Sequence, residues 1–103
     1  MVYGVITHVA APIEAYDAVH ARFLAQQTDT ALDSLLVHIG RADGDGFQVI
    51  EVWESRERFE QFNREVVARM VAEAAEGAAP GAPPRIEEFE VRGLVVPRGE
   101  LAF

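Results

Sequence analysis

Hydrophobic positions along this chain repeat with two periods, and each change of period marks the start of an element. Val2 to Val9 alternates as a strand does, with Tyr3, Val5, Thr7 and Val9 on one face and Val2, Gly4, Ile6 and His8 on the other. Pro12 suits a first helical turn, and beyond it Ile13, Tyr16, Val19, His20, Phe23 and Leu24 form one stripe at helical spacing. Thr28 to Ser34 reads as a polar connection. Leu35 to Ala42 predicts a second strand, and Asp43-Gly44-Asp45-Gly46 predicts a tight hairpin, because Gly and Asp accept the positive φ that such turns demand. The third strand sets Phe47, Val49, Glu51 and Trp53 on one side and Gln48, Ile50, Val52 and Glu54 on the other. At Ser55, a good N-cap, the period switches to Phe59, Phe62, Val66, Met70 and Ala74, a helix supported by Glu60 with Arg64 and Glu65 with Arg69 and ending near Gly77. Ala78 to Arg85 is a Pro-rich loop, and Ile86 to Val96 predicts a long fourth strand, continuous or bulged at Gly93, stopped by Pro97.

The order βαββαβ predicts an α+β, ferredoxin-like arrangement of one antiparallel sheet with both helices on one face. Two helices cover one side of a sheet, yet strands one to three carry large apolar residues on both. With Val37, Ile39, Ile50 and Val52 toward the helices, the open side holds Tyr3, Val5, Leu36, Phe47, Val49 and Trp53. At about 1.5 to 3 kcal/mol per large side chain, leaving that set exposed forgoes roughly 9 to 18 kcal/mol. That is as much as a domain's whole stability. A second copy packed sheet to sheet is the simplest cover, which makes the protein a homodimer with a cavity wherever small or polar residues prevent filling. In strand four, Phe89 and Val91 share one face and Glu88, Glu90 and Arg92 the other, so it either reaches the partner or borders a polar pocket mouth.

Composition narrows the function. The chain has 103 residues, enough for one domain over 1–103, with 50% hydrophobic and 25% charged residues. Its net charge is −8, and every basic residue is Arg, a balance that disfavours nucleic acid and anionic membrane surfaces. Cys is absent, which removes disulfides, thiolate catalysis and Cys-ligated metals. No apolar run approaches the roughly 18 residues that span a bilayer. The first residues lack the basic start of a signal peptide, so the chain reads as a mature cytoplasmic protein. Serine-hydrolase, phosphate-loop and dinucleotide motifs are missing as well.

The chemistry that remains centres on the hairpin. His38 and Glu51 lie equally far from the Gly44-Asp45 midpoint, so an unbulged hairpin sets them opposite each other on one face, beside Trp53 opposite Leu36. A one-residue bulge would separate them. A carboxylate in that place orients the imidazole and favours its protonated form, as a general base near neutral pH requires. In that role His38 takes a phenolic or enolic proton from an aromatic ligand held against Trp53, in a cavity that Tyr3 also lines, and the resulting anion reacts with oxygen. The competing reading is a structural cross-strand pair, which such ion pairs form without catalysis. A filled interface, or His38 turned toward the helices, sinks that catalytic assignment and leaves a structural or accessory dimer. His20, in the helix stripe, reads as a satisfied core histidine, and His8 as a local hydrogen-bonding residue. No third ligand joins His38 and Glu51, so no metal and no cofactor is expected.

The element order, the segment Glu51-Val52-Trp53-Glu54-Ser55 and the helix start with Phe59 and Phe62 resemble the antibiotic biosynthesis monooxygenase domains of the dimeric α/β-barrel superfamily. The resemblance implies a homodimer and one of several activities: cofactor-independent oxygenation of aromatic polyketides, quinol oxidation, haem degradation, or no assigned activity. In several members the helix position nine beyond the strand Trp carries a functional His or Trp, and this chain has Phe62 there. The haem-degrading branch places an Asn on strand one and a His later in helix two, where this chain has Thr7 and Ala72. Those departures disfavour haem degradation and leave Trp53, Tyr3, Thr7 and Phe62 as residues around a small aromatic substrate. The resulting expectation is a cofactor-independent monooxygenase acting on an aromatic, polyketide-like or quinol substrate. The alternative is a non-catalytic homodimer that binds a small ligand or supports another enzyme.

Overall fold

A computed structural model describes residues 2–25, 34–67 and 84–97. The expected connection at 28–33, the second helix beyond 67 with Arg69, Met70, Ala72, Ala74 and Gly77, and the Pro-rich loop up to 83 lie outside the described residues. Four strands, β1 (Tyr3–Val9), β2 (Leu35–Asp43), β3 (Gly46–Trp53) and β4 (Arg85–Phe89), form one antiparallel sheet in the order β2-β3-β1-β4. With α1 (Ile13–Ala25) after β1 and α2 (Arg56–Phe62) after β3, this is the ferredoxin-like arrangement.

Local chemistry explains the elements. The Ala15 amide bonds the Pro12 carbonyl at 2.9 Å and closes the first turn at the start of α1. Gly44 takes φ +60°, the conformation a two-residue hairpin needs between Asp43 and Gly46. Ser55 is extended at φ −154° and ψ 159°, and its hydroxyl accepts the Arg58 amide at 3.3 Å, as an N-cap does. One π-helical turn, Asn63–Val67, continues directly from α2. Glu60 pairs with Arg56 at 3.0 Å, on its N-terminal side, where Arg64 was expected. The fourth strand is shorter than its sequence predicts. It ends at Phe89, and residues 90–97 form no strand, so the expected ladder to Val96 is cut to five residues. Leu94, Val95 and Val96 in that tail are exposed.

The sheet's faces are the reverse of the expectation. The helices cover the side of Tyr3, Val5, Phe47, Glu51 and Trp53, where Val5 and Trp53 are fully buried with Phe59 and Phe62. Ile6, Val37, Ile39, Ile50 and Val52 lie on the other side, which neither helix covers among the described residues; Ile39 is 50% exposed there, while Val52 is buried at 7%. The cause is local. Only Glu54 separates Trp53 from the N-cap Ser55, so α2 folds straight back over Trp53. Phe59 then sits 6.1 Å and Phe62 5.1 Å from the indole, measured between ring centroids. Tyr3 completes the cluster at 5.6 Å from Phe59. Aromatic rings bury more apolar area than the Ile and Val of the opposite face, so the aromatic side takes the helices.

Candidate functional site

The sequence pairs His38 with Glu51, and the ladder does so: the two are direct partners across β2 and β3. A bulge is present in this hairpin, but it lies at Leu36, where the register shifts between Leu35 and Val37. It therefore falls beyond His38, and its effect is to set Leu35 instead of Leu36 opposite Trp53. The pair itself survives, with His38 Nδ1 2.7 Å from Glu51 Oε2.

Glu51 is buried at 7% exposure, and a carboxylate so placed must be hydrogen-bonded. Its second oxygen accepts the Trp53 indole N–H at 3.3 Å, from two residues along the same face of β3. An ionised Glu51 thus takes one N–H from Trp53 and one from His38, which fixes the His38 proton on Nδ1 and leaves Nε2 as an acceptor. That nitrogen lies 2.8 Å from the Tyr16 hydroxyl, which donates to it. The Tyr16 oxygen in turn accepts from His20 Nδ1 at 3.2 Å. One tautomer set satisfies these four hydrogen bonds together, from His20 through Tyr16 and His38 to Glu51 and Trp53.

Ring packing holds the chain flat. The His20 and His38 imidazoles are parallel within 2° at a centroid distance of 5.6 Å, and the Tyr16 ring lies within 16° of both. Phe47 tilts against Tyr16 at 5.6 Å. Gly40, the covered-face residue next along β2 from His38, makes room for this: a Cβ there would overlap the Tyr16 ring. Burial, then the negative charges of Glu51 and Asp17, push the Tyr16 phenol above its ordinary range, so it stands as a neutral donor. The cluster is not sealed. The His38 side chain keeps 18% of its surface, and Tyr16 and His20 are half-buried where α1 crosses β2, the edge strand of the sheet.

The remaining expected residues are spread around this cluster rather than into it. Trp53 is fully buried with Phe59 and Phe62 around its ring, so it serves Glu51 through its N–H and presents no face to a ligand. Phe62 belongs to the same core. Tyr3 packs on Phe59, and burial, with a hydrogen bond to Glu88, pushes its phenol up. Thr7 lies on the covered face between Val49 and Ile86, away from His38. A cavity on the open face between two copies, lined by His38, Glu51, Trp53 and Tyr3, is therefore overturned, and with it the catalytic assignment of His38 at that face, because all four side chains point toward the helix side. The sequence sets Tyr16 and His20 in the helix stripe, His20 as a satisfied core histidine, which its bond to Tyr16 makes it, and Tyr16 with no role beyond packing. The available signal was their i, i+4 spacing on one helix face, with a Gly in the middle of β2 to receive the ring. His8, on the other face, bonds Glu87 at 3.0 Å and Gln48 at 3.3 Å, a hydrogen-bonding role as expected, but with partners on neighbouring strands instead of local ones.

No family model and no curated protein matches the sequence. Solved structures do match the fold. A candidate antibiotic biosynthesis monooxygenase from Chloroflexus aurantiacus is 18% identical with a TM-score of 0.62, over 93% of this chain and 98% of that one. SnoaB, a cofactor-independent oxygenase from Streptomyces nogalater, is 14% identical with a TM-score of 0.55, over 91% and 94%. A MhuD variant with two manganese protoporphyrin IX bound per active site is 22% identical with a TM-score of 0.58, over 91% and 98%. Over 87% or more of its length, the chain has the fold of the antibiotic biosynthesis monooxygenase domain proteins.

Proposed function

We propose that this protein is a small cytoplasmic monooxygenase that works without a bound cofactor on an aromatic, polyketide-like or quinol substrate. The observation that carries the reading is the unbroken chain of groups from Glu51 through His38 to Tyr16. It gives a phenolic or enolic proton a basic nitrogen as its destination and a buried carboxylate to balance the imidazolium formed. The deprotonated ligand is electron-rich and reduces oxygen itself. For a phenol with a free para position the products are the para-quinone and one water, so the substrate supplies every electron. The fold shared with SnoaB, whose name specifies a cofactor-independent oxygenase, supports this class of chemistry.

Haem degradation is disfavoured. Thr7 and Phe62 stand where the resemblance places an Asn and a functional His or Trp, and Phe62 is buried in the core instead of facing a ligand. The porphyrin bound by the MhuD variant has the same fold around it, so the decision rests on those side chains.

A second reading is a non-catalytic homodimer that binds a small ligand or supports another enzyme. It is favoured by His38 facing the helices, by a network in which each group already satisfies the next, and by a Trp53 with no exposed surface. Oxygen uptake separates the two readings. With a panel of anthrones, naphthols and quinols, the wild type consumes oxygen in step with quinone formation, and His38→Ala loses the rate by about 100-fold or more, the usual contribution of a general base. A wild type that consumes no oxygen above the buffer rate with any of them leaves the accessory dimer.

A further inference from the structure

Both ring nitrogens of His38 are engaged, Nδ1 by Glu51 at 2.7 Å and Nε2 by Tyr16 at 2.8 Å. A ligand proton therefore has no direct path onto the base. The next group in the chain beyond His38 Nε2 is the Tyr16 hydroxyl, carried on α1 at the half-buried junction with β2. From this geometry we infer that Tyr16 is itself a catalytic residue: its hydroxyl takes the proton of a phenolic or enolic ligand and passes its own to His38 in the same step, while His20 holds that hydroxyl in position. The inference rests on the reading of His38 as the proton's destination and adds the group that meets the substrate.

The step balances. The ligand O–H bond breaks and a new O–H bond forms on Tyr16, whose former proton becomes the N–H at His38 Nε2. The products are a ligand oxyanion, a neutral Tyr16 and an imidazolium beside the Glu51 carboxylate. No oxidant takes part. A stepwise route through a tyrosinate is opposed by the burial and by the Glu51 and Asp17 charges that push the Tyr16 phenol up. The two transfers are therefore coupled. His20 is a positioning residue, since its Nδ1 sits 3.2 Å from the Tyr16 oxygen and its ring is parallel to that of His38. With its N–H directed at that oxygen, the phenol's own hydrogen points to His38. The chain selects ligands with an acidic hydroxyl small enough at that end to reach the α1 and β2 edge.

The test uses a nitrophenol, which colours only as its anion, at a pH below its own pKa, together with oxygen uptake on the substrate panel. The wild type should bind the nitrophenol and colour it. Tyr16→Phe keeps the ring over Gly40 and should bind it with little change in affinity but leave it colourless, and oxygen uptake should fall by about 100-fold in kcat with KM within a few-fold. His20→Gln should fall less, and its residual rate should show a changed solvent isotope effect. A Tyr16→Phe variant that colours the dye or consumes oxygen at the wild-type rate overturns the relay. So does a wild type that fails to bind or to colour the dye. Tyr16-dependent colour without oxygen uptake upholds the relay and sinks the oxygenase; oxygen uptake indifferent to Tyr16 does the opposite.

Discussion

Glu51 is the residue on which the polar half of the covered face depends. An ionised carboxylate removed from water costs several kcal/mol unless its oxygens are bonded, and here the indole of Trp53 and the imidazole of His38 supply one N–H each. The two donors come from different sources, one fixed by the alternation of β3 and the other by the hairpin register, so a one-residue slip of that hairpin would lose the His38 partner. Tyr16 extends the same chain and carries a pH dependence. Its folded-state pKa and that of Tyr3 are raised, chiefly by burial, so the folded protein holds these phenol protons more tightly than the unfolded chain. Their contribution to stability is complete below about pH 10, the unfolded value, and is lost as pH rises above it toward the raised folded values. Urea unfolding followed by the fluorescence of Trp53, the single Trp, should show stability falling above pH 10. Tyr16→Phe should flatten that fall, and adding Tyr3→Phe should flatten it further. An equal alkaline slope in wild type and double variant would show that neither phenol is protonated preferentially in the fold.

Among the elements, the turn from β3 into α2 decides which face of the sheet is covered. Ser55 caps α2 two residues after Trp53, and its hydroxyl bond to the Arg58 amide fixes the angle at which Phe59 and Phe62 return to the indole. Ser55→Ala should cost about 1 kcal/mol in urea unfolding, and Ser55→Gly less. A cost within error of zero for Ala would mean that the packing of the Phe residues alone positions the helix. Such local signals are what made the strands, α1, the start of α2 and the pairing of His38 with Glu51 legible in the sequence, since each follows from a period, a cap or a turn midpoint. The rest was not legible, for physical reasons. Whether the Trp53 or the Ile50 side meets the helices depends on the relative burial of two apolar faces, both acceptable to a strand pattern. The bulge at Leu36 and the end of β4 at Phe89 are set by neighbouring strands, which no window of sequence contains. Tyr16 and His20 read as stripe residues because their partner, His38, is far along the chain and meets them only once α1 lies on β2.

At the scale of the whole molecule, the reversal of faces moves the question of a partner without removing it. The side away from the described helices carries two largely apolar rows across the sheet, Ile39, Ile50 and Ile6 in one, ending at Glu87 on β4, and Val37, Val52, Gly4 and Phe89 in the next, where Val52 and Gly4 are already buried. A polar row follows, in which Gln48 bonds Arg41 at 2.8 Å, Asp43 at 3.1 Å and His8 at 3.3 Å. Apolar rows bordered by a self-satisfied polar row fit a sheet-to-sheet contact, dry at its centre and polar at its edge. The proposed occupant is a second copy of this chain, whose own apolar rows are the matching surface under a twofold axis. Ile39 is the place to test it. Half exposed in the single chain, it contributes little to folding there, whereas a charge at its position would be buried without a partner in the dimer. Sedimentation at micromolar concentration should show the wild type as a dimer and Ile39→Asp as a monomer that keeps the native Trp53 emission. A wild type that sediments as a monomer up to hundreds of micromolar would mean that something other than a second copy covers the Ile face. The site under α1 lies on the opposite side of the sheet, so Ile39→Asp should lower oxygen uptake only as far as it loosens the sheet that carries His38.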